Sequence, residues 1–274
     1  MPVIVPISDA AAPEIQFYRD LPSESRRAAE MRGELSYFIA EGQLVTEKLI
    51  ASDVQLHSLL MTEERFALMA DQLRSVSAPV YIVDTPTMHA IAGFEFHRGV
   101  LACGIRPASD DALARTLRPR IIIALEHVSN PDNVGGILRS VAALAGSKAS
   151  VLLGPGCADP LYRKCIRVSM GHVFRVPWAC VSDLEATISG LAVSGAEVLA
   201  TTPAPHASNL RQLSLRKNAQ AVVLMGAEGP GLSPNIMRTS TRQVRIVMSE
   251  GVDSLNVGVA TALVLDRVVQ ALES

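Results

Sequence analysis

The sequence predicts an α/β protein built around a parallel sheet with helices on both faces. Three observations carry that prediction. Continuous apolar runs such as Ile121–Leu125 (IIIAL) and Ala221–Met225 (AVVLM) leave no polar face, which suits strands buried on both sides. Segments with helical spacing of apolar residues separate these runs, as parallel crossovers require. A polar stretch holding two prolines, Arg106–Arg120, divides the chain into a shorter and a longer α/β alternation.

Residues 1–22, rich in Pro, Ala and Asp, read as an extended lead-in. From Ser36 the alternation begins. Tyr37–Ile39 reads as a strand, Gly42–Ile50 as a helix with Leu44, Val45 and Leu49 on one side, and Val54–Met61 as a strand. Thr62 caps a helix running to Leu73, with Glu63 and Glu64 in its first turn facing the positive end of the dipole. A strand at Val80–Val83, a short helix at Pro86–Ile91 and a strand at Gly99–Ile105 complete a small first domain, 23–106, with a linker at 107–119. In the second domain, 120–274, strands are expected at Ile121–Leu125, Ser150–Leu153, Val173–Val176, Glu197–Thr201, Ala221–Met225 and Val244–Met248. Helices are expected at Val134–Leu144, Pro160–Val168, Leu184–Val193 and Leu255–Leu272.

Composition narrows the classes. Of 274 residues 49% are hydrophobic, enough for a sizeable core and too many for wholesale disorder. The net charge is −2, from 25 basic and 27 acidic residues, which argues against a broadly basic nucleic-acid coat but not against a local basic cleft. Mean hydropathy is +0.26, yet the run at Val257–Leu265 falls far short of the roughly 20 residues of a spanning helix. The N-terminus lacks the pattern of a signal peptide. Cys103, Cys157, Cys165 and Cys180 form no CxxC pair, so a reduced, cytoplasmic chain with spare thiols and no metal site is expected. No membrane association is expected.

In an open α/β sheet ligands bind beyond the carboxyl ends of the strands. Three polar, glycine-bearing segments lie there: Glu126–Arg139, Gly226–Ser233 and Ser249–Val257. A dinucleotide fold wants GxGxxG directly after its first strand. Here that strand runs into Glu126-His127, and the second ends in Leu153-Gly154-Pro155-Gly156. A plain nucleotide-binding oxidoreductase is therefore disfavoured.

The three segments together resemble the SpoU/TrmH family of RNA ribose 2′-O-methyltransferases, in the SPOUT class. The first carries Asn133, Gly135 and Arg139; the second Gly226, Glu228, Gly229, Gly231 and Leu232; the third Ser254-Leu255-Asn256-Val257. The small first domain, with Phe38-Ile39-Ala40-Glu41-Gly42 and His97-Arg98-Gly99-Val100, resembles the ribosomal-protein-like α/β/α substrate-binding domain that often precedes this catalytic domain. Two positions depart from the family: Val247, where proline is frequent, and Gly258, where serine is common.

The resemblance implies a C-terminal SPOUT α/β domain with a deep trefoil knot, S-adenosylmethionine as cofactor, a homodimer and an RNA substrate. It implies cofactor contacts at Thr202, Gly226, Gly231, Ile246, Met248 and Leu255. It implies catalytic roles for Arg139, which would orient the 2′-hydroxyl and stabilise developing alkoxide charge rather than act as a conventional base, and for Asn133, Glu228, Ser254 and Asn256. Each residue also has a plain structural reading. Asn133 or Ser254 would cap a helix, Arg139 would lie on a helix surface, and Glu228 would face solvent. Arg163, Lys164 and Arg167 are spaced to share one helix face and, with Arg98, are expected to bind RNA phosphates. The function expected is methylation of a ribose 2′-hydroxyl in RNA, with ribosomal RNA preferred. A tRNA substrate, or a non-catalytic RNA-binding or assembly factor that keeps the fold, are the alternatives.

Overall fold

The computed structural model describes residues 2–93, 95–108 and 111–273. The chain divides into two units. One takes the chain up to Pro107 together with Asp159–Arg175; the other takes Ala108–Ala158 and Val176 onward.

The first unit begins with β1 (Ile4–Pro6), α1 (Glu24–Met31), β2 (Tyr37–Glu41), α2 (Gln43–Ile50) and β3 (Leu56–Thr62). It continues through α3 (Glu63–Leu68), α4 (Ala70–Leu73), β4 (Val80–Val83), α5 (Thr85–Ala92) and β5 (Val100–Ile105). Its sheet has the order β1-β4-β3-β5-β2, with β4 parallel to β1 and β3, and β5 antiparallel to β3 and β2. The lead-in is not simply extended. Pro13–Tyr18 forms a 3-10 turn, and Ile15, Tyr18 and Leu21 are fully buried in the core of this unit. The spacing of three between Ile15 and Tyr18 matches the 3-10 repeat, which stacks such residues on one side. Ser23, accepting from the Arg26 N–H at 3.3 Å, starts a helix that the apolar periodicity does not reveal. The helix expected over 62–73 breaks in two at Met69.

The second unit opens with α6 (Ala112–Leu117), which lies within the expected linker; Ser109 and Asp110 of that linker are outside the described residues. Then come β6 (Ile121–Leu125), α7 (Pro131–Leu144) and β7 (Ala149–Leu153). The chain next forms α8 (Arg163–Val168), which belongs to the first unit. It returns with β8 (Trp178–Cys180), α9 (Leu184–Val193), β9 (Glu197–Thr201), β10 (Ser208–Asn209) and β11 (Ala221–Met225). It ends with α10 (Pro234–Thr239), β12 (Arg242–Arg245) and α11 (Val257–Glu273). The sheet order is β10-β12-β9-β11-β6-β7-β8, and every described pairing is parallel, as the apolar runs predicted. Ile122, Ala124, Leu152, Val222 and Leu224 form one core cluster with Leu184 and Ile188 of α9 and Ile236 of α10. On the alternate strand face, α7 and α11 pack on each other and on β7 and β11.

The excursion at 159–175 clusters with the first unit. Asp159 takes the Arg106 guanidinium at two points, 3.0 and 3.1 Å. Phe174 stacks on Phe38 with ring centroids 5.5 Å apart. Val173–Val176, expected as a strand, is instead a 3-10 turn over His172–Phe174 that follows Gly171 at φ 74°. Apolar side chains there are buried by the first unit rather than by the parallel sheet, whose last strand is β8. Among the described residues no helix is long and apolar enough to cross a membrane.

Candidate active site

A cavity of about 320 Å³ opens at the carboxyl ends of β9, β11 and β12, within the size range of small-molecule pockets. Three segments wall it: Thr201–Pro203 after β9, the loop from Gly226 to Gly231 after β11, and Ile246, Met248 and Ser254–Asn256 after β12. Val257, Ala260 and Val264 of α11 supply an apolar side.

Sterics dictate the middle wall. A Cβ on Gly226 would lie 2.2 Å from the Gly231 carbonyl carbon and 2.3 Å from the Leu232 nitrogen, so only glycine lets this loop close. The Gly231 N–H donates to the Ala227 carbonyl at 3.0 Å, with Gly231 at φ 72°. Glu126, buried at the end of β6, anchors the loop: its carboxylate accepts the Ser233 N–H at 2.7 Å and its own N–H donates to Met225. On the first wall the Thr201 hydroxyl donates to the Leu224 carbonyl at 2.7 Å, and the Thr202 N–H donates to Val244 at 3.0 Å.

Asn256 ties the three glycine-bearing segments together. Its Oδ1 accepts the N–H groups of Gly258 (2.9 Å) and Val259 (3.2 Å), capping α11. Its Nδ2 donates to Asn133 Oδ1 at 2.9 Å and to Glu228 Oε1 at 2.8 Å. A reversed amide would set its NH2 against two backbone N–H groups, so the orientation is determined. That in turn makes Asn133 Oδ1 the acceptor and leaves Asn133 Nδ2 buried without a partner among the described residues.

Residues 120–266, more than half of the chain, match the SpoU rRNA Methylase family. A Mycobacterium tuberculosis protein named as an uncharacterized tRNA/rRNA methyltransferase is 39% identical over 258 residues, covering 94% of this chain and 88% of its own. Among solved structures, an AdoMet-bound rRNA methyltransferase from Sinorhizobium meliloti superposes with a TM-score of 0.80 at 24% identity, over 99% of both chains. A putative RNA methyltransferase of the TrmH family from Porphyromonas gingivalis superposes with a TM-score of 0.75 at 25% identity, over 95% of this chain and 98% of its own. The chain belongs to the SpoU rRNA methylase family. It is an RNA methyltransferase, and the fold of its second unit is that of the SpoU enzymes.

Within this SpoU unit, Thr202, Gly226, Gly231, Ile246, Met248 and Leu255 all line the one cavity, and so do Glu228, Ser254 and Asn256. Asn133 joins through Asn256. It does not cap α7; Asn130 does, accepting the Asp132 N–H at 2.9 Å, and Asn133 lies buried inside the first turn. Ser254 does not cap α11, because Asn256 does. Gly258 has a local reason, since a Cβ there would sit 3.2 Å from Asn256 Oδ1. Arg139 is not brought to the cavity. It is exposed on α7 and makes no hydrogen bond or ion pair among the described residues.

Of the three α8 cations expected to bind RNA, Arg163 is engaged within the protein. Arg163 donates to Glu30 at 2.8 Å, to Glu41 at 2.9 Å and to the Leu21 carbonyl, and its side chain is 11% exposed. A guanidinium so engaged has no edge left for a phosphate. Arg167 is 45% exposed, with its Nη1 3.7 Å from Glu41, and Lys164 is half-buried. Arg98 is exposed and packs over Gly42.

The sequence reading missed Glu126 as the loop anchor, and Ala260 and Val264 as cavity wall. The second omission was avoidable: Val257, Ala260 and Val264 recur at helical spacing on one face of α11. Cys157, beside Glu126, is half-buried, and desolvation pushes its thiol up to about 11, which keeps it a neutral group.

Proposed function

We propose that this SpoU-family enzyme methylates a ribose 2′-hydroxyl of RNA, using S-adenosylmethionine, and that its substrate is ribosomal RNA. The observation that carries the reading is the convergence of nine implied site residues, from three separate strand ends, on one cavity.

The cavity fits the cofactor. Gly226 lets the loop close against Gly231 and Leu232, and Gly226, Ile246 and Leu255 line the cavity beside the apolar side chains of α11. When bound, S-adenosylmethionine supplies an electrophilic methyl group on a sulfonium. Every other task falls to the chain. The ribose hydroxyl is a weak nucleophile, and developing negative charge on its oxygen needs an opposing charge. Arg139, permanently protonated and without a partner among the described residues, has that role, and it orients the neighbouring phosphate. Glu228, Asn256 and Asn133 form one hydrogen-bonded unit that holds the glycine loop, the start of α11 and the start of α7 in register. Ser254 completes the pocket rim.

The chain is read as a homodimer with a trefoil knot, acting in the cytoplasm. Dimerisation is supported by a groove lined by Gly136 and Ser140 of α7 with Val259, Ala262 and Leu263 of α11, where Val259 and Leu263 are 52% and 47% exposed. The knot is read from the match of residues 120–266 to the SpoU family. The first unit, with Arg98, is read as the RNA-holding domain.

The test is calorimetric titration with S-adenosylmethionine, then transfer of a labelled methyl group to ribosomal RNA and to tRNA, with mapping of the modified nucleotide. Micromolar cofactor binding and a 2′-O-methyl mark in ribosomal RNA are expected. A mark on tRNA alone moves the substrate, and a base methylation or absence of cofactor binding overturns the reading. Arg139→Ala should abolish transfer while cofactor affinity stays near wild type; an active variant removes Arg139 from the chemistry.

A further inference from the structure

The second unit carries a basic edge at the end of its sheet opposite the cavity. Arg118 and Arg120 precede β6, Lys148 precedes β7, Arg216 and Lys217 precede β11, and Arg242 opens β12. In a parallel sheet these amino ends share one side, and five-residue strands put roughly 13 Å between it and the carboxyl ends.

Hydrogen bonds and ion pairs tie the group together. Glu197, the first residue of β9 and 6% exposed, accepts the Arg216 backbone N–H at 2.6 Å and Nε at 3.2 Å, and lies 3.5 Å from Arg242 Nη2. The same two guanidiniums donate to the Gly195 and Ser214 carbonyls, each at 2.8 Å. Lys148 reaches Glu273 at 2.7 Å. The Glu273 carboxyl is held below its ordinary range, first by that Lys148 bond and then by the charge of Arg120. Arg118 and Lys217 are exposed and make no hydrogen bond or ion pair among the described residues. Of these six cations, Lys148, Arg216 and Arg242 pair among the described residues with two carboxylates, Glu273 and Glu197, on a chain whose net charge is −2. Arg216 and Arg242 share the one Glu197 carboxylate and keep N–H groups that are not used, which a phosphate can accept from.

We infer that this edge is a second RNA-binding surface, which takes phosphodiesters of the substrate remote from the reacting ribose. The inference rests on the RNA substrate proposed above and adds a requirement to it. An RNA that touches both ends of the sheet must extend at least about 13 Å from the reacting ribose.

The test uses the full chain and bacterial ribosomal RNA, with affinity measured across a salt series for wild type, Arg118→Ala/Lys217→Ala and Arg118→Glu/Lys217→Glu. Neither side chain supports the fold, and S-adenosylmethionine affinity serves as the check that the site is intact. Removing one phosphate-binding cation should lower the slope of log affinity against log salt by about 0.7–0.9, so the double alanine variant should show a slope lower by about 1.4–1.8. Over the decade from 1 M to 0.1 M salt such a slope change corresponds to binding about 25- to 60-fold weaker near 0.1 M, and the charge reversal should weaken it further. An unchanged slope overturns the inference, as does weaker binding at constant slope or a wild type that binds no RNA. Failure of wild type to bind S-adenosylmethionine instead sinks the methyl-transfer reading and leaves the salt slopes to judge this edge alone.

Discussion

In the first unit Arg163, 11% exposed, bridges Glu30 and Glu41, themselves 3% and 6% exposed, while Arg26 adds a 3.0 Å pair to Glu30. In the second unit Asn256 bridges Asn133 and Glu228 over similar distances, but on the exposed wall of a cavity. Both networks pull distant segments of chain together. Their environments differ, and that decides what each is for. Charges taken out of water must keep their partners, so the first network is a structural lock. A neutral amide bridge beside an open cavity tolerates loss with little destabilisation, yet it positions groups that a ligand meets.

The largest expected effect tests the lock. Arg163→Ala leaves Glu30 and Glu41 buried with fewer partners and should cost about 3–5 kcal/mol in urea unfolding. A loss below about 1 kcal/mol would erase the contrast between the two networks. Next comes the cavity wall. Gly226→Ala drives a Cβ to 2.2 Å from backbone and should cost about 1–3 kcal/mol, with cofactor binding abolished; retained affinity in calorimetry would show that the loop yields. Asn256→Ala should cost about 1 kcal/mol, the worth of a cap, and lower methyl transfer about 100-fold through misplacement. Asn256→Asp keeps the cap but sets a carboxylate against Glu228. It should therefore recover stability and not activity, and a variant recovering both would make the bridge merely a cap.

The smallest effect concerns pH and the core of the first unit. Burial raises the Cys103 thiol to about 12. Above about pH 9 the unfolded thiol ionises while the folded one stays neutral, so its contribution is present below the unfolded value and declines as pH rises toward the folded one. At pH 10 the loss should be about 1 kcal/mol. Cys103→Ala should remove that part of the alkaline decline, leaving the share of Tyr18, whose hydroxyl burial also pushes upward. Parallel stability curves for wild type and variant would discount Cys103.

Much of the second unit was legible. The runs IIIAL and AVVLM became β6 and β11 at the expected bounds, because residues apolar on both faces can only be central strands. The cavity residues were legible through the glycine-bearing segments at strand ends. The helix over Arg163–Val168 was placed correctly within a few residues, yet the partners of Arg163 were not legible. Periodicity tells which face of a helix is apolar, but not which carboxylates wait opposite its arginines. Glu30 and Glu41 lie more than 120 residues away in sequence, and nothing local marks them as its partners.

The sequence by itself determined the parallel sheet, the position of each glycine that the site loops need, and the family. Local sterics and burial set those, and both are written residue by residue. Only the tertiary structure decided that residues 159–175 belong to the first unit and that Asn256, not Ser254, caps α11. It alone decided that Arg163 is locked inside while Arg118 and Lys217 stay exposed. Those outcomes depend on which long-range partner removes a polar group from water, a choice made between segments far apart in the chain.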